Sequence, residues 1–136
     1  MLFRNIILTT ALLLSAGIAG AAELLSPDGN VKLTFDLTTQ GEPMEYVTVA
    51  RKAKNSDDWF EGCSNGIEPR VSEIDFSFLP AGQKYLATIY RDGKNAHYRN
   101  APQDYVIETK TVTSKSKLKL WTASSGGYAI RLTPLR

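Results

Sequence analysis

The chain has 136 residues, of which 43% are hydrophobic and 22% charged, a composition that fits one globular domain and argues against a disordered or collagen-like protein. Its 16 Lys and Arg residues nearly balance 14 Asp and Glu residues, so we expect no nucleic-acid partner. A single cysteine, Cys63, excludes an internal disulfide and a CxxC zinc site. A single histidine, His97, excludes a multi-histidine metal site, and we therefore expect no bound metal.

Residues 1–21 have the pattern of a secretory signal peptide. Arg4 supplies the positive charge, residues 6–14 form an apolar run, and Ala19-Gly20-Ala21 offers small residues for cleavage after Ala21 or Ala22. A transmembrane anchor is the alternative, but the run falls short of the roughly 20 apolar residues that a spanning helix requires. We expect an exported protein, periplasmic or secreted, that has no membrane contact after leader cleavage. In such an oxidising compartment Cys63 has two interpretations, a disulfide between chains or a small buried hydrophobe.

Apolar and polar residues alternate in short segments after the leader, which predicts β-strands and no long helix. Residues 31–38 begin the pattern, and residues 46–51 and a short strand from Trp59 to Gly62 follow. Residues 73–78 predict a further strand, with Ile74, Phe76 and Phe78 on one side and Pro80-Ala81-Gly82 closing it.

The second half of the chain repeats this alternation. Residues 85–91 lead into Asp92-Gly93, a dipeptide that predicts a two-residue hairpin turn with positive φ at both positions. Further strands are predicted over residues 105–113, 117–122 and 128–132. Short strands with turn signals every ~8–12 residues predict an all-β fold, either an antiparallel, Greek-key-like β-sandwich, which we favour, or a small barrel.

Particular segments resemble a known family, glycoside hydrolase family 97, whose members are exported α-glucosidases and α-galactosidases of Gram-negative bacteria. The segment Ser26-Pro27-Asp28-Gly29-Asn30-Val31-Lys32-Leu33-Thr34-Phe35 is similar to the opening of the family's N-terminal domain. A longer set of segments resembles the family's C-terminal domain: residues 45–52, 57–60, 79–85, 87–94, 105–108, 111–115 and 126–132.

The resemblance implies a division of the chain into three parts. Residues 1–21 are the signal peptide, residues 22–43 a strand segment from the start of the N-terminal domain, and residues 44–136 the C-terminal β-sandwich. In the family a catalytic (β/α)8 barrel separates the two ends, and a barrel of that kind needs ~250 residues. The resemblance therefore implies that the barrel is absent, together with the family's catalytic glutamates and calcium site, so no catalytic residue and no cofactor are predicted here. A free-standing module and the remnant of an internal deletion are both compatible with this arrangement.

The carboxylates give no independent indication of glycoside hydrolysis, which needs two acids placed across a cleft. Asp28, Asp57, Asp58 and Asp92 fall in predicted turns, and others lie on polar strand faces. We therefore expect a chain that is not an enzyme as it stands, although its parent family is one.

Aromatic side chains are the better functional signal. Trp59, Tyr98 and Trp121 are the candidate surface or interface residues, and Trp121 shares a polar strand face with Lys117 and Lys119. The resemblance implies an accessory, oligomerisation role, with self-association or an intact family 97 hydrolase as the partner. The alternative is a carbohydrate-binding module in which exposed Tyr and Trp rings stack on an α-glucan.

Overall fold

The computed structural model describes residues 22–37 and 43–136, and the predicted signal peptide lies outside them. The two ranges contain β-strands and no helix, which confirms the all-β prediction. The strands are β1 (Ala22–Leu25), β2 (Val31–Leu37), β3 (Pro43–Lys52), β4 (Trp59–Asn65), β5 (Arg70–Asp75), β6 (Tyr85–Asp92), β7 (Tyr105–Val112), β8 (Lys117–Thr122) and β9 (Gly127–Pro134).

The strands form two antiparallel sheets that pack in a sandwich-like arrangement. The large sheet has seven strands in the order β1-β2-β3-β4-β9-β6-β7, and the small sheet pairs β5 with β8. The small sheet covers one face of the large sheet, here called the inner face. Within residues 22–37 and 43–136 no second layer covers the other face, here called the outer face.

The core lies between the two sheets and follows from the alternation of each strand. Tyr128, Ile130 and Leu132 of β9 all point inward and are buried, as the sequence predicts. Tyr85, Ala87 and Ile89 of β6 are buried beside them, and Leu120 of β8 covers them from the small sheet. Alternating side chains on neighbouring antiparallel strands thus build one continuous apolar layer.

The predicted strand over residues 73–78 ends earlier than expected. β5 stops at Asp75, whose Oδ1 accepts a hydrogen bond from the Ser77 N–H at 2.7 Å, and the Leu79 N–H donates to the Phe76 carbonyl at 2.9 Å. The Asp side chain thus offers the backbone a local turn in place of the ladder. Phe76 still enters the core, fully buried, from this turn.

The two-residue hairpin predicted at Asp92-Gly93 is wrong, because β7 does not begin until Tyr105 and neither residue has a positive φ. The Asp92 carboxylate is engaged elsewhere: its Oδ2 accepts hydrogen bonds from the N–H groups of Ala123 and Gly127, at 2.8 and 2.9 Å. Asp92 therefore holds the turn between β8 and β9 against the end of β6. That turn needs Gly126, since a Cβ at this position would collide with the Asp92 carboxylate.

β1 and β2, from residues 22–37, form one edge of the large sheet. β2 runs antiparallel to β3 from Val31, opposite Arg51, to Leu37, opposite Pro43. The domain boundary predicted between residues 43 and 44 stays a prediction, and residues 38–42 lie outside the described ranges.

Candidate association surface and interlayer cavity

A row of apolar residues crosses the outer face of the large sheet from edge to edge, and we call it the outer row. The ladder registers place its members opposite one another in the order Leu24, Leu33, Val49, Gly62, Ala129, Tyr90 and Ile107. Leu24, Tyr90 and Ile107 are exposed by 51%, 46% and 54%, and Val49 by 38%. Contiguous apolar exposure of this kind marks interaction sites rather than ordinary surface.

A second row on the outer face lies beside the outer row and contains both charged and aromatic side chains. Arg51 lies opposite Phe60, and Phe60 lies opposite Arg131. Between these side chains the sheet forms a shallow concavity of about 680 Å³ whose lining includes Val49, Phe60 and Tyr90. Arg131 is engaged at its far end, where Nη2 lies 2.9 Å from the Asp58 carboxylate. The centre of the surface is therefore apolar, and the cations lie beside it.

Trp59, predicted as a surface residue, is a core residue instead. It is only 3% exposed, because it lies on the inner face of β4, where its ring packs against Phe78 with the centroids 5.0 Å apart. The surface placement of Trp59 is therefore wrong. A short aromatic pair, Trp59-Phe60, gives no sequence signal for which ring faces inward; in the structure Phe60 is the exposed one, at 47%.

Tyr98 and Trp121 lie apart from each other and from the outer row. Tyr98 is half exposed in the loop between β6 and β7, where its ring stacks on His97 at 4.7 Å. Trp121 is partly buried on β8 of the small sheet, opposite Val71 of β5. The structure does not bring Trp59, Tyr98 and Trp121 together into one flat platform.

A polar cavity of about 280 Å³, here called the interlayer cavity, lies between β5 of the small sheet and the β3–β4 part of the large sheet. Lys32, Glu61, Arg70, Ser72 and Tyr128 contribute its polar lining. Its aromatic walls are Tyr46 and Phe78.

Glu61 is the most perturbed acid of this cavity. It is 6% exposed on the inner face of β4, and its Oε1 accepts a hydrogen bond from the Tyr128 hydroxyl at 3.2 Å. Burial raises the pKa of the Glu61 carboxyl to about 7, against the opposing effects of the Tyr128 hydrogen bond and the charge of Lys32. Sequence reasoning missed Glu61; the available signal was a charged residue at an inward position of the alternation Trp59, Glu61, Cys63.

Cys63 follows Glu61 on the same inward face. It is a free, buried cysteine, 9% exposed, and burial raises the pKa of its thiol. Burial with a raised pKa is characteristic of an inert structural cysteine, the second of the two interpretations above.

Residues 22–37 and 43–136 contain no cluster of three His, Cys, Asp or Glu side chains arranged to hold a metal ion. The same ranges contain no helix long and apolar enough to cross a membrane.

Comparison with known proteins identifies the family to which this chain belongs. The family model for the glycosyl-hydrolase 97 C-terminal, oligomerisation domain matches residues 34–133. The chain therefore belongs to this family, as the resemblance in its sequence implies. The matched region begins within β2, so β1 and the start of β2 precede it.

The relatives are much longer than this chain. A retaining alpha-galactosidase of Bacteroides thetaiotaomicron is 34% identical over 96 residues, which are 71% of this chain and 14% of that protein. A glycoside hydrolase family 97 enzyme from Pseudoalteromonas sp. strain K8, solved in complex with acarbose, is 38% identical and superimposes with a TM-score of 0.67. That match covers 76% of this chain and 16% of the enzyme, and a variant of the same enzyme in complex with panose matches equally well.

Proposed function

We propose that this chain is an exported, non-catalytic association domain, and that the outer row binds a second copy of the chain. The observation that carries the proposal is the apolar outer row, which no described residue covers. The chain also belongs to the family of the glycosyl-hydrolase 97 C-terminal, oligomerisation domain. An intact family 97 hydrolase that carries the same domain is the other partner that this surface fits.

A second copy is the natural occupant because the outer row is self-complementary. Two copies related by a twofold axis place the same row on itself, with the sheets ~10 Å apart as in a sandwich. Val49 and Tyr90, on either side of Gly62 and Ala129, then lie near the centre of the contact. Burial of these apolar groups drives the association, at about 25 cal/mol per Å².

The non-catalytic part of the proposal is supported by the acids around the interlayer cavity. A glycosidase pairs a raised-pKa acid with a second carboxylate across a cleft. Glu61 has the raised pKa, but the two nearest carboxylates on β5 are engaged in ion pairs: Glu73 lies 2.7 Å from Lys119, and Asp75 lies 3.4 Å from Lys117. We expect no release of sugar from an aryl α-glucoside, with or without calcium.

The test is sedimentation equilibrium of the purified chain and two matched valine variants. Val49→Lys places a charge in the outer row, whereas Val71→Lys places the same charge on the exposed face of the small sheet. Because an ammonium group would have to be buried in the contact, we expect Val49→Lys to shift the chain from an oligomer to a monomer.

Val71→Lys serves as the control and should leave the oligomer intact. A wild-type chain that stays monomeric up to high micromolar concentration contradicts the proposal. Equal effects of the two substitutions would also contradict it, because they would show that the outer row has no special part.

A second candidate function, α-glucan binding, is favoured by the exposed ring of Tyr98 and the partly exposed ring of Trp121. Since Trp59 is buried, Trp121 is the fluorophore that a bound glucan would perturb. A titration that quenches the wild type but not Trp121→Phe supports this candidate, and an unchanged spectrum removes it.

A further inference from the structure

We propose that the interlayer cavity binds a neutral polyhydroxylated molecule of monosaccharide size. The site is separate from the outer row and from Tyr98 and Trp121, and it does not depend on whether the chain self-associates. It is assembled by residues of both sheets: Lys32, Thr48, Glu61 and Tyr128 from the large sheet, and Arg70 and Ser72 from the small one.

The cavity exists because the small sheet covers the large one unevenly. Along one inner row of the large sheet, Ile130 and Ile89 are packed and buried. The same row continues toward the β1 edge of the sheet with Glu61 on β4, Ala50 on β3 and Lys32 on β2. This polar part of the row lies beneath β5, which is the last strand of the small sheet on that side.

Three buried side-chain atoms of residues that line the cavity have no hydrogen-bond partner among the described residues: Glu61 Oε2, Arg70 Nε and Ser72 Oγ. Glu61 uses Oε1 for Tyr128, while its Oε2 is buried without a hydrogen bond. The Nε of Arg70 is likewise buried without one, although the guanidinium is held over the Tyr46 ring, 3.5 Å from the centroid. An unpaired buried acceptor and an unpaired buried donor each cost free energy, which a ligand that pairs with both would recover.

The mixture of these groups identifies the chemical class. The Lys32 ammonium, the Arg70 guanidinium and three carboxylates, those of Glu61, Glu73 and Asp75, line the cavity. Glu73 and Asp75 are paired with Lys119 and Lys117, so the remaining charges are of both signs and match neither a simple anion nor a simple cation. A hydroxyl group both donates and accepts, and vicinal hydroxyls can donate to Glu61 and accept from Arg70 at once. The Tyr46 and Phe78 rings offer apolar surface to the C–H face of such a molecule.

The volume limits the ligand to a small one. A cavity of about 280 Å³ holds about nine water molecules at about 30 Å³ each, which suits one sugar ring or a comparable polyol rather than a chain of sugars. Arg70 and Tyr46 are both only half-buried, so the cavity is reached from their side.

The experiment is a titration of the purified, ¹⁵N-labelled chain with D-glucose, D-galactose and glycerol, followed by amide NMR. We expect saturable shifts at Thr48, Ser72 and Glu61 with at least one probe. Glu61→Gln keeps the shape of the side chain but removes the charged acceptor, and it should weaken binding roughly tenfold or more.

Two further variants make the result specific. Glu108→Gln changes an acid on the same inner row that lies outside the cavity, opposite Ile89, and should leave the affinity unchanged. Ser72→Ala tests the β5 wall while retaining Glu61, and should also weaken binding.

Several outcomes would overturn the proposal. These are the absence of saturable shifts with every probe, equal affinity in the wild type and Glu61→Gln, or shifts that disappear in Tyr98→Ala. A crystal soaked in the best probe that shows only ordered water between Glu61 and Arg70 overturns it as well. None of these results bears on the oligomeric state, so failure here and failure of the association proposal are distinguishable.

Discussion

Both faces of the seven-stranded sheet carry rows of apolar side chains, but these rows differ in how far they are buried. On the inner face, Ile89, Ile130 and Leu132 are covered by the small sheet and are at most 1% exposed. On the outer face, Val49, Tyr90 and Ile107 lie on the same strands or their neighbours and remain 38% to 54% exposed. An antiparallel sheet that packs on one side normally has a polar second side. The apolar outer row is therefore the feature on which the association proposal rests.

The same comparison shows that the inner face itself is divided. Its β6–β9 part is an apolar core, whereas its β2–β4 part holds the buried acid Glu61, the buried lysine Lys32 and one side of the interlayer cavity. Stability should therefore reside in the first part, and sensitivity to pH in the second.

The largest expected effect comes from the apolar part of the inner face. Ile130→Ala removes a side chain that is 1% exposed and should lower the free energy of unfolding by about 2–5 kcal/mol, because a cavity remains. Ala129→Ser, one residue earlier and on the outer face, should change it by less than about 0.5 kcal/mol. Urea unfolding of both variants measures their free energies of unfolding. Similar decreases in the two variants would contradict the claim that only the inner face contributes strongly to stability.

A smaller effect is expected from Glu61, and it depends on pH. Its pKa is about 7 in the folded chain and 4.5 as the reference for an unfolded one, so the folded state binds the extra proton between these values. The contribution of Glu61 to stability is then fully present below about pH 4.5 and is lost as the pH rises through 7, by about 3 kcal/mol in all.

Glu61→Gln should abolish most of this slope and make the variant the more stable protein at pH 8. The glutamine oxygen still accepts from Tyr128, so the comparison isolates the charge. Denaturation midpoints measured from pH 4.5 to 8 give the dependence of stability on pH for the wild type and for Glu61→Gln, with Glu108→Gln as the control. A wild type that gains stability as the pH rises over this range would contradict the assigned burial of Glu61.

Most of the strands could be predicted from the sequence, because alternation survives wherever one face is buried. Tyr128, Ile130 and Leu132 are the clearest case. The two differences both involve an aspartate whose carboxylate accepts hydrogen bonds from backbone N–H groups. The Asp92-Gly93 pair predicts a hairpin because it is a local signal, whereas the partners of Asp92, at Ala123 and Gly127, lie about thirty residues further on. Asp75 ends β5 through a local bond instead, to the N–H of Ser77.

The candidate surfaces were harder to predict than the strands. Alternation shows that Val47 and Val49 share a face, but not whether another described strand covers that face, since this depends on the strand order of both sheets. The burial of Trp59 has a different reason, because the adjacent pair Trp59-Phe60 does not show which of its rings faces inward. The membership of the family, by contrast, could be inferred from the sequence, because the segments that carry the resemblance are spread over residues 34–133.

The measurement that tests the association account most directly is an isotope-filtered NOE experiment on a mixture of labelled and unlabelled copies of the chain. Only contacts between copies give signals in such a mixture. We predict intermolecular NOEs from Val49, Tyr90 and Ile107. NOEs that arise instead from Val71 and Trp121 on the small sheet, or no intermolecular NOEs at concentrations where the chain sediments as an oligomer, would contradict the assignment of the outer face as the site of self-association.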